Sequence, residues 1–169
     1  MTQLHVAFYK GSGQLFDRLV RISTSSDISH CELVRCAGTP GEGAAGLCLS
    51  ASGRDGGVRE KIISFDPGKW EFVPVPWAPF DAWERGRAHL GKPYDYRALL
   101  LSHFLGFGSH ARHKWFCSEL CAHALGLEAP HTYSPAILHR ALGMSHAASA
   151  AAVRRSGGRR AGAARRGWL

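Results

Sequence analysis

The sequence predicts an α+β domain with an antiparallel sheet packed against helices, and three observations carry that expectation. Short alternating apolar segments separated by glycine- and serine-rich turns occupy the first half of the chain. After Pro79 the spacing becomes helical, in segments that run into glycines. No internal repeat and no regular strand–helix alternation interrupts this strands-first, helices-later order, which is the α+β pattern.

Each element follows in turn. "LHVAFYK" (4–10) reads as a strand ending at the Gly11-Ser12-Gly13 turn. "QLFDRLVRIS" (14–23) places Leu15, Leu19 and Ile22 near one face of an amphipathic helix. "ISHCELVRC" (28–36) alternates, with His30, Glu32 and Val34 on one side and Cys31, Leu33 and Arg35 on the other. "LCLSAS" (47–52) and "VREKIISF" (58–65) are strands joined by the "GRDGG" turn, where Arg54 and Asp55 shape a tight hairpin. "WEFVPVPW" (70–77) is extended, and Pro74 and Pro76 confine it to a sheet edge or strand end. "PFDAWERGRAHLG" is a helix stopping at Gly91, and "DYRALLLSHFLG" and "SELCAHALG" are helices that also run into a glycine. "SPAILHRALG" (134–143) opens on a Ser134 cap with Pro135 at the first helical position.

Length and charge bound the rest. The 169 residues suit one domain with a proper core, and 45% hydrophobic against 20% charged residues is an ordinary soluble composition. The longest apolar run, Ala98 to Gly108, is too short to span a bilayer, and the opening residues lack a signal-peptide pattern; a cytoplasmic location is expected. Of the formal charge of +8, six arginines (Arg154, Arg155, Arg159, Arg160, Arg165, Arg166) supply +6, leaving the body near +2. The expected organisation is a folded domain over 1–144 and an Ala/Gly/Arg-rich basic tail over 145–169, disordered because it buries too little to order itself. Such a tail suits an anionic partner, nucleic acid or lipid.

Five cysteines, an odd number without a CxxC pair, point to reduced thiols rather than a disulfide framework or zinc ribbon. No ligand spacing links His110 or His113 to Cys117, and no metal or organic cofactor is expected. In "WFCSEL", Cys117 opens a helix, where the positive end of the dipole favours the thiolate. Glu119 in the same first turn opposes that shift, and Cys121 reads as a small core residue. Taken singly, Cys117 and His30 both have plain readings as buried core residues. Together they offer a nucleophile and the base it needs from elsewhere in the chain.

Four blocks in this order, "FYKGSGQLFDRLVRISTSSDISHCELV", "LCLSASGRDGGV", "GKPYDY" and "WFCSEL", resemble the circularly permuted branch of the NlpC-type, papain-like cysteine hydrolases, the YiiX-type group. The likeness spans residues 4–125, and the opening and turn blocks resemble phage-encoded members. The resemblance implies a papain-like fold in which Cys117 attacks a carbonyl, His30 shuttles the proton and the Cys117 backbone N–H helps hold the oxyanion. It implies a polar residue on the strand after the histidine strand to orient the imidazole. The matching position is Ser50, where an acid is common, and Glu32, on the same sheet face as His30, is the alternative. Tyr94, in "GKPYDY", either donates to the oxyanion or substrate, or packs beneath the cysteine helix. The implied substrate is a cell-wall peptide or a lipid-linked acyl or amide group. Two rival readings stand beside this one: a catalytically silent binding module on the same fold, and a nucleic-acid-binding protein acting through its arginine tail.

Overall fold

The computed structural model describes residues 3–11, 21, 26–36, 40–41, 43–95 and 114–145. Five strands, β1 (Gln3–Tyr9), β2 (His30–Cys36), β3 (Ala45–Ser52), β4 (Gly57–Ser64) and β5 (Trp70–Pro74), form one antiparallel sheet in the order β4-β3-β2-β1-β5. The helices described in full are α1 (Ala82–Arg87), α2 (Cys117–Ala124) and α3 (residues 135–145), with a 3-10 turn at Pro130–Thr132 between the last two. The α+β class and the antiparallel sheet thus agree with the sequence. Apart from residues 21 and 95, the expected helix over 14–23 and the helix "DYRALLLSHFLG" lie outside the described residues, as do His110, His113 and nearly all of the basic tail.

Alternation along the strands sorts side chains onto two faces. Val6, Phe8, Cys31, Leu33, Leu49, Ala51 and Val58 join Leu120, Cys121, Leu138 and Leu142 in the larger core beneath the helices. Ala7, Val34, Cys48 and Phe65 form a smaller cluster on the opposite face. Strand β5 is an edge, where prolines lack only the outward N–H that an edge leaves unused. Gly126 follows α2 with φ of +73°, the left-handed conformation that ends a helix, whereas α1 stops at Arg87 and Gly91, at φ +78°, closes the turn four residues later. Ser134 caps α3 by accepting the Ile137 N–H at 3.2 Å. That helix passes its expected stop at Gly143 and runs to residue 145. A Cβ at Gly143 would meet nothing within 4 Å, and the Ser145 hydroxyl donates to the Ala141 carbonyl at 3.0 Å, closing a further turn.

The α2 helix is buried all round, a pattern its sequence permits because Cys117, Ser118, Cys121, Ala122 and Ala124 are small. Its one inward hydroxyl, Ser118, donates to the Tyr133 carbonyl at 2.5 Å. A strap over residues 91–95 fixes where this helix begins. It pairs with β4 through Val58 N–H to the Lys92 carbonyl (2.9 Å) and Gly91 N–H to the Val58 carbonyl (3.0 Å). On its other side it exchanges Trp115 N–H to the Pro93 carbonyl and Asp95 N–H to the Trp115 carbonyl, both 3.0 Å. Among the described residues no helix is long and apolar enough to cross a membrane.

Candidate active site

Phe116, extended at φ −102° and ψ 154°, turns the chain into α2, so Cys117 occupies the first helical position. The backbone N–H groups there have no partner one turn back, and their dipoles favour an anion. The Glu119 carboxylate reaches back to the Phe116 N–H at 3.4 Å. Burial and nearby Asp95 push that carboxyl up to about 7, which softens the opposition to a thiolate that its formal charge suggests.

Strand β2 brings His30 to the same place. The ladder between β2 and β3 runs from Arg35↔Leu47 to Leu33↔Leu49 and stops there, short of the start of β2. At this start, which β1 pairs but β3 does not, Cys117 interacts with both the His30 imidazole and Cys31. His30 Nε2 lies 2.7 Å from Glu32 Oε1, leaving Nδ1 as the nitrogen for sulfur. Glu32, one pleat further along and 1% exposed, is gripped by Arg59 through two contacts of 2.6 Å. Arg59 in turn donates through Nε to Asp55 at 2.9 Å. Sulfur, imidazole, carboxylate, guanidinium and a second carboxylate therefore form one line of alternating charge.

The electrostatics follow. Burial disfavours the imidazolium, but the thiolate and the Glu32 carboxylate outweigh it and raise His30 to about 10. Burial likewise disfavours the thiolate, yet the Cys31 hydrogen bond and the imidazolium hold Cys117 down to about 5. Glu32 stays below the usual carboxylate range despite its burial, because Arg59 and His30 both favour its charge. The side chain of His30 is 22% exposed whereas Cys117 is fully buried, so the imidazole is the face of the pair that solvent reaches.

Of the five residues singled out from sequence, Cys117, His30 and Glu32 meet here. Ser50 does not contact the imidazole, the orienting role that the sequence resemblance implied for its position. Its hydroxyl donates to the Cys31 carbonyl at 2.7 Å, a group the truncated β2–β3 ladder leaves without a strand partner, while Glu32 holds the imidazole. Tyr94 is 4% exposed, with its ring 5.7 Å from that of Phe116, the packing position rather than an open cleft wall. The sequence reading missed Arg59. Its signal was the "GRDGG" turn, which fixes the hairpin register that sets Arg59 opposite Ser50. Asp55 both shapes that turn and anchors Arg59, which holds its carboxyl at about 2. Among the described residues no group of three or more His, Cys, Asp or Glu side chains is placed to hold a metal ion.

A scan against protein-family models finds no match for this chain. A search of the curated proteins finds none either.

Proposed function

We propose that this chain is a thiol-dependent hydrolase or acyl transferase of the permuted NlpC-type, papain-like kind. The observation that supports it is the Cys117–His30–Glu32 line at a helix start, with the sulfur favoured as thiolate and the imidazole as imidazolium. In this reading the Cys117 sulfur attacks the carbonyl carbon of an amide or ester. The oxyanion is held by the Cys117 backbone N–H, and His30 gives its proton to the departing amine or alcohol. Water or another acceptor, deprotonated by His30, then attacks the thioester and restores the pair. Glu32 keeps the ring oriented and supports its positive charge. The substrate class is a cell-wall peptide or a lipid-linked acyl or amide group.

Alkylation by iodoacetamide, a probe small enough for a buried sulfur, tests the reading. Cys117 is expected to react with an apparent pKa near 5, and His30→Ala is expected to move that midpoint upward by at least a unit. A Cys117 that stays unreactive up to pH 8 removes the proposal. The complete burial of Cys117 favours one rival, a silent binding module on the same fold. Acyl and peptidyl electrophiles separate the two, because a silent module labels no more in the native chain than in Cys117→Ser.

A further inference from the structure

Two buried thiols beside Cys117 take no part in the hydrolytic steps. Cys121 lies one helical turn after Cys117 and so on the same side of α2. Cys31, next to His30 on β2, neighbours both helix sulfurs: its Sγ is 3.8 Å from that of Cys121, and its interaction with Cys117 favours the Cys117 thiolate. The three side chains are 0–1% exposed, and all are free thiols. A thiol between two other sulfurs, one of them nucleophilic, is arranged for exchange chemistry.

We propose that Cys31 and Cys121 are a dithiol that captures Cys117 after oxidation by a hydroperoxide and returns it as the free nucleophile. In the first step the Cys117 thiolate attacks the hydroperoxide; an S–O bond forms, the O–O bond breaks, and the departing oxyanion takes the His30 proton. This leaves a sulfenic acid and an alcohol or water. In the second, the Cys31 sulfur attacks the sulfenic sulfur; the S–S bond forms, the S–O bond breaks, and the hydroxyl leaves with the Cys31 proton as water. In the third, the Cys121 sulfur attacks the Cys31 side of that disulfide and releases Cys117 as thiolate, while the Cys121 proton returns to His30. One hydroperoxide is reduced and two thiols are oxidised, and the original ion pair is restored.

The direction of the last step follows from the sulfurs' environments. The more acidic thiol is the better leaving group, and Cys117 is held down while Cys31 is pushed well up, first by burial. Exchange therefore runs toward Cys31–Cys121 and away from the Cys117 disulfide. The 3.8 Å contact is the starting point from which a bond of ~2.05 Å closes.

The inference rests on Cys117 being a reactive thiolate but not on hydrolysis, and its test reads sulfur chemistry alone. The full chain is treated with hydrogen peroxide, remaining thiols are blocked with N-ethylmaleimide in denaturant, and peptides are mapped by mass. The expected product is an intramolecular Cys31–Cys121 cross-link with Cys117 carrying the maleimide, reversed by dithiothreitol. Cys121→Ser is expected to stop at the Cys31–Cys117 cross-link. Cys31→Ser is expected to form no cross-link and to lose Cys117 to sulfinic acid several-fold faster. The native-chain map decides even where a variant folds poorly: sulfinic acid at Cys117 without any cross-link to Cys31 overturns the inference. Iodoacetamide labelling of the untreated chain separates the two failures. A Cys117 that labels at neutral pH but never cross-links sinks this inference alone, whereas one that does not label sinks the thiolate reading with it.

Discussion

At the scale of single residues, the division of labour between Glu32 and Ser50 is the sharpest point. Both sit on the sheet face that carries His30, but only Glu32 holds the ring, and only Ser50 serves the Cys31 carbonyl. Glu32→Gln removes the charge that supports the imidazolium and leaves Arg59 short of its main partner. The expected result is a lower His30 pKa by NMR titration, slower alkylation of Cys117 near neutrality, and a stability loss of about 3–5 kcal/mol. Ser50→Ala is expected to cost about 1–3 kcal/mol through the stranded carbonyl while leaving the His30 titration in place. An unchanged imidazole in Glu32→Gln and a shifted one in Ser50→Ala reverse the assignment. The sequence left these two open for a physical reason. Alternation tells which face a residue shares, but the choice between neighbours on that face depends on where one ladder stops. Arg59 was illegible for a related reason, since its meeting with Glu32 needs β2, β3 and β4 in register at once.

At the scale of elements, the start of α2 is set by the strap rather than by helix propensity. A Cβ at Gly57 would lie 2.2 Å from the Lys92 carbonyl oxygen, a backbone atom that cannot move without taking the strap with it. Gly57→Ala is therefore expected to destabilise by about 1–3 kcal/mol and to slow Cys117 alkylation several-fold, because the strap bonds Trp115 two residues before the sulfur. Gly68→Ala tests the specificity: its φ of +71° brings strain, but a Cβ there has open space and the residue sits in the turn between β4 and β5, so it is expected to destabilise that turn with less effect on Cys117. Most elements were legible. Alternation marked the strands to within a few residues, prolines marked the edge, and Gly126 marked the end of α2, whereas α1 ends at Arg87, four residues before the expected Gly91. The mechanical role of "GKPYDY" was not legible, because it pairs at once with a hairpin far upstream and a helix start far downstream.

At the scale of the whole molecule, the thiol–imidazole pair shapes how stability depends on pH. His30, raised from 6.5 to about 10, contributes stability that is complete below pH 6.5 and is lost as pH rises toward 10. Cys117, lowered from 9.0 to about 5, contributes stability that is complete above pH 9 and is lost as pH falls toward 5. Between pH 6.5 and 9 the two slopes cancel, since folded and unfolded chains bind the same number of protons on this pair. The pair's contribution is thus a plateau that falls by on the order of 2 kcal/mol between pH 6.5 and 5, and by about 1 kcal/mol between pH 9 and 10. Denaturant titrations across pH check this. In Cys117→Ser the thiolate slope is gone and His30 keeps only the support of Glu32, so the fall between pH 6.5 and 5 is expected to shrink and the histidine slope to end well below pH 10. Parallel curves for the two chains contradict the ion pair. The α+β class was readable at this scale because the periodicity changes near Pro79: the five described strands precede that point and the helices α1 to α3 follow it.

His30 and Cys31 are consecutive, and a pleated strand turns consecutive side chains to opposite faces. Seven paired positions against β1, from Gln3↔Cys36 to Tyr9↔His30, lock which of them is offered where. Sliding β2 by a single position would exchange an imidazole for a sulfur and carry Glu32 off its face. The identity of the chemistry at this helix start is therefore stored less in the two residues than in the hydrogen-bond count of the neighbouring strand, and lengthening or shortening the connection into β2 by one residue is the change to which it is most exposed.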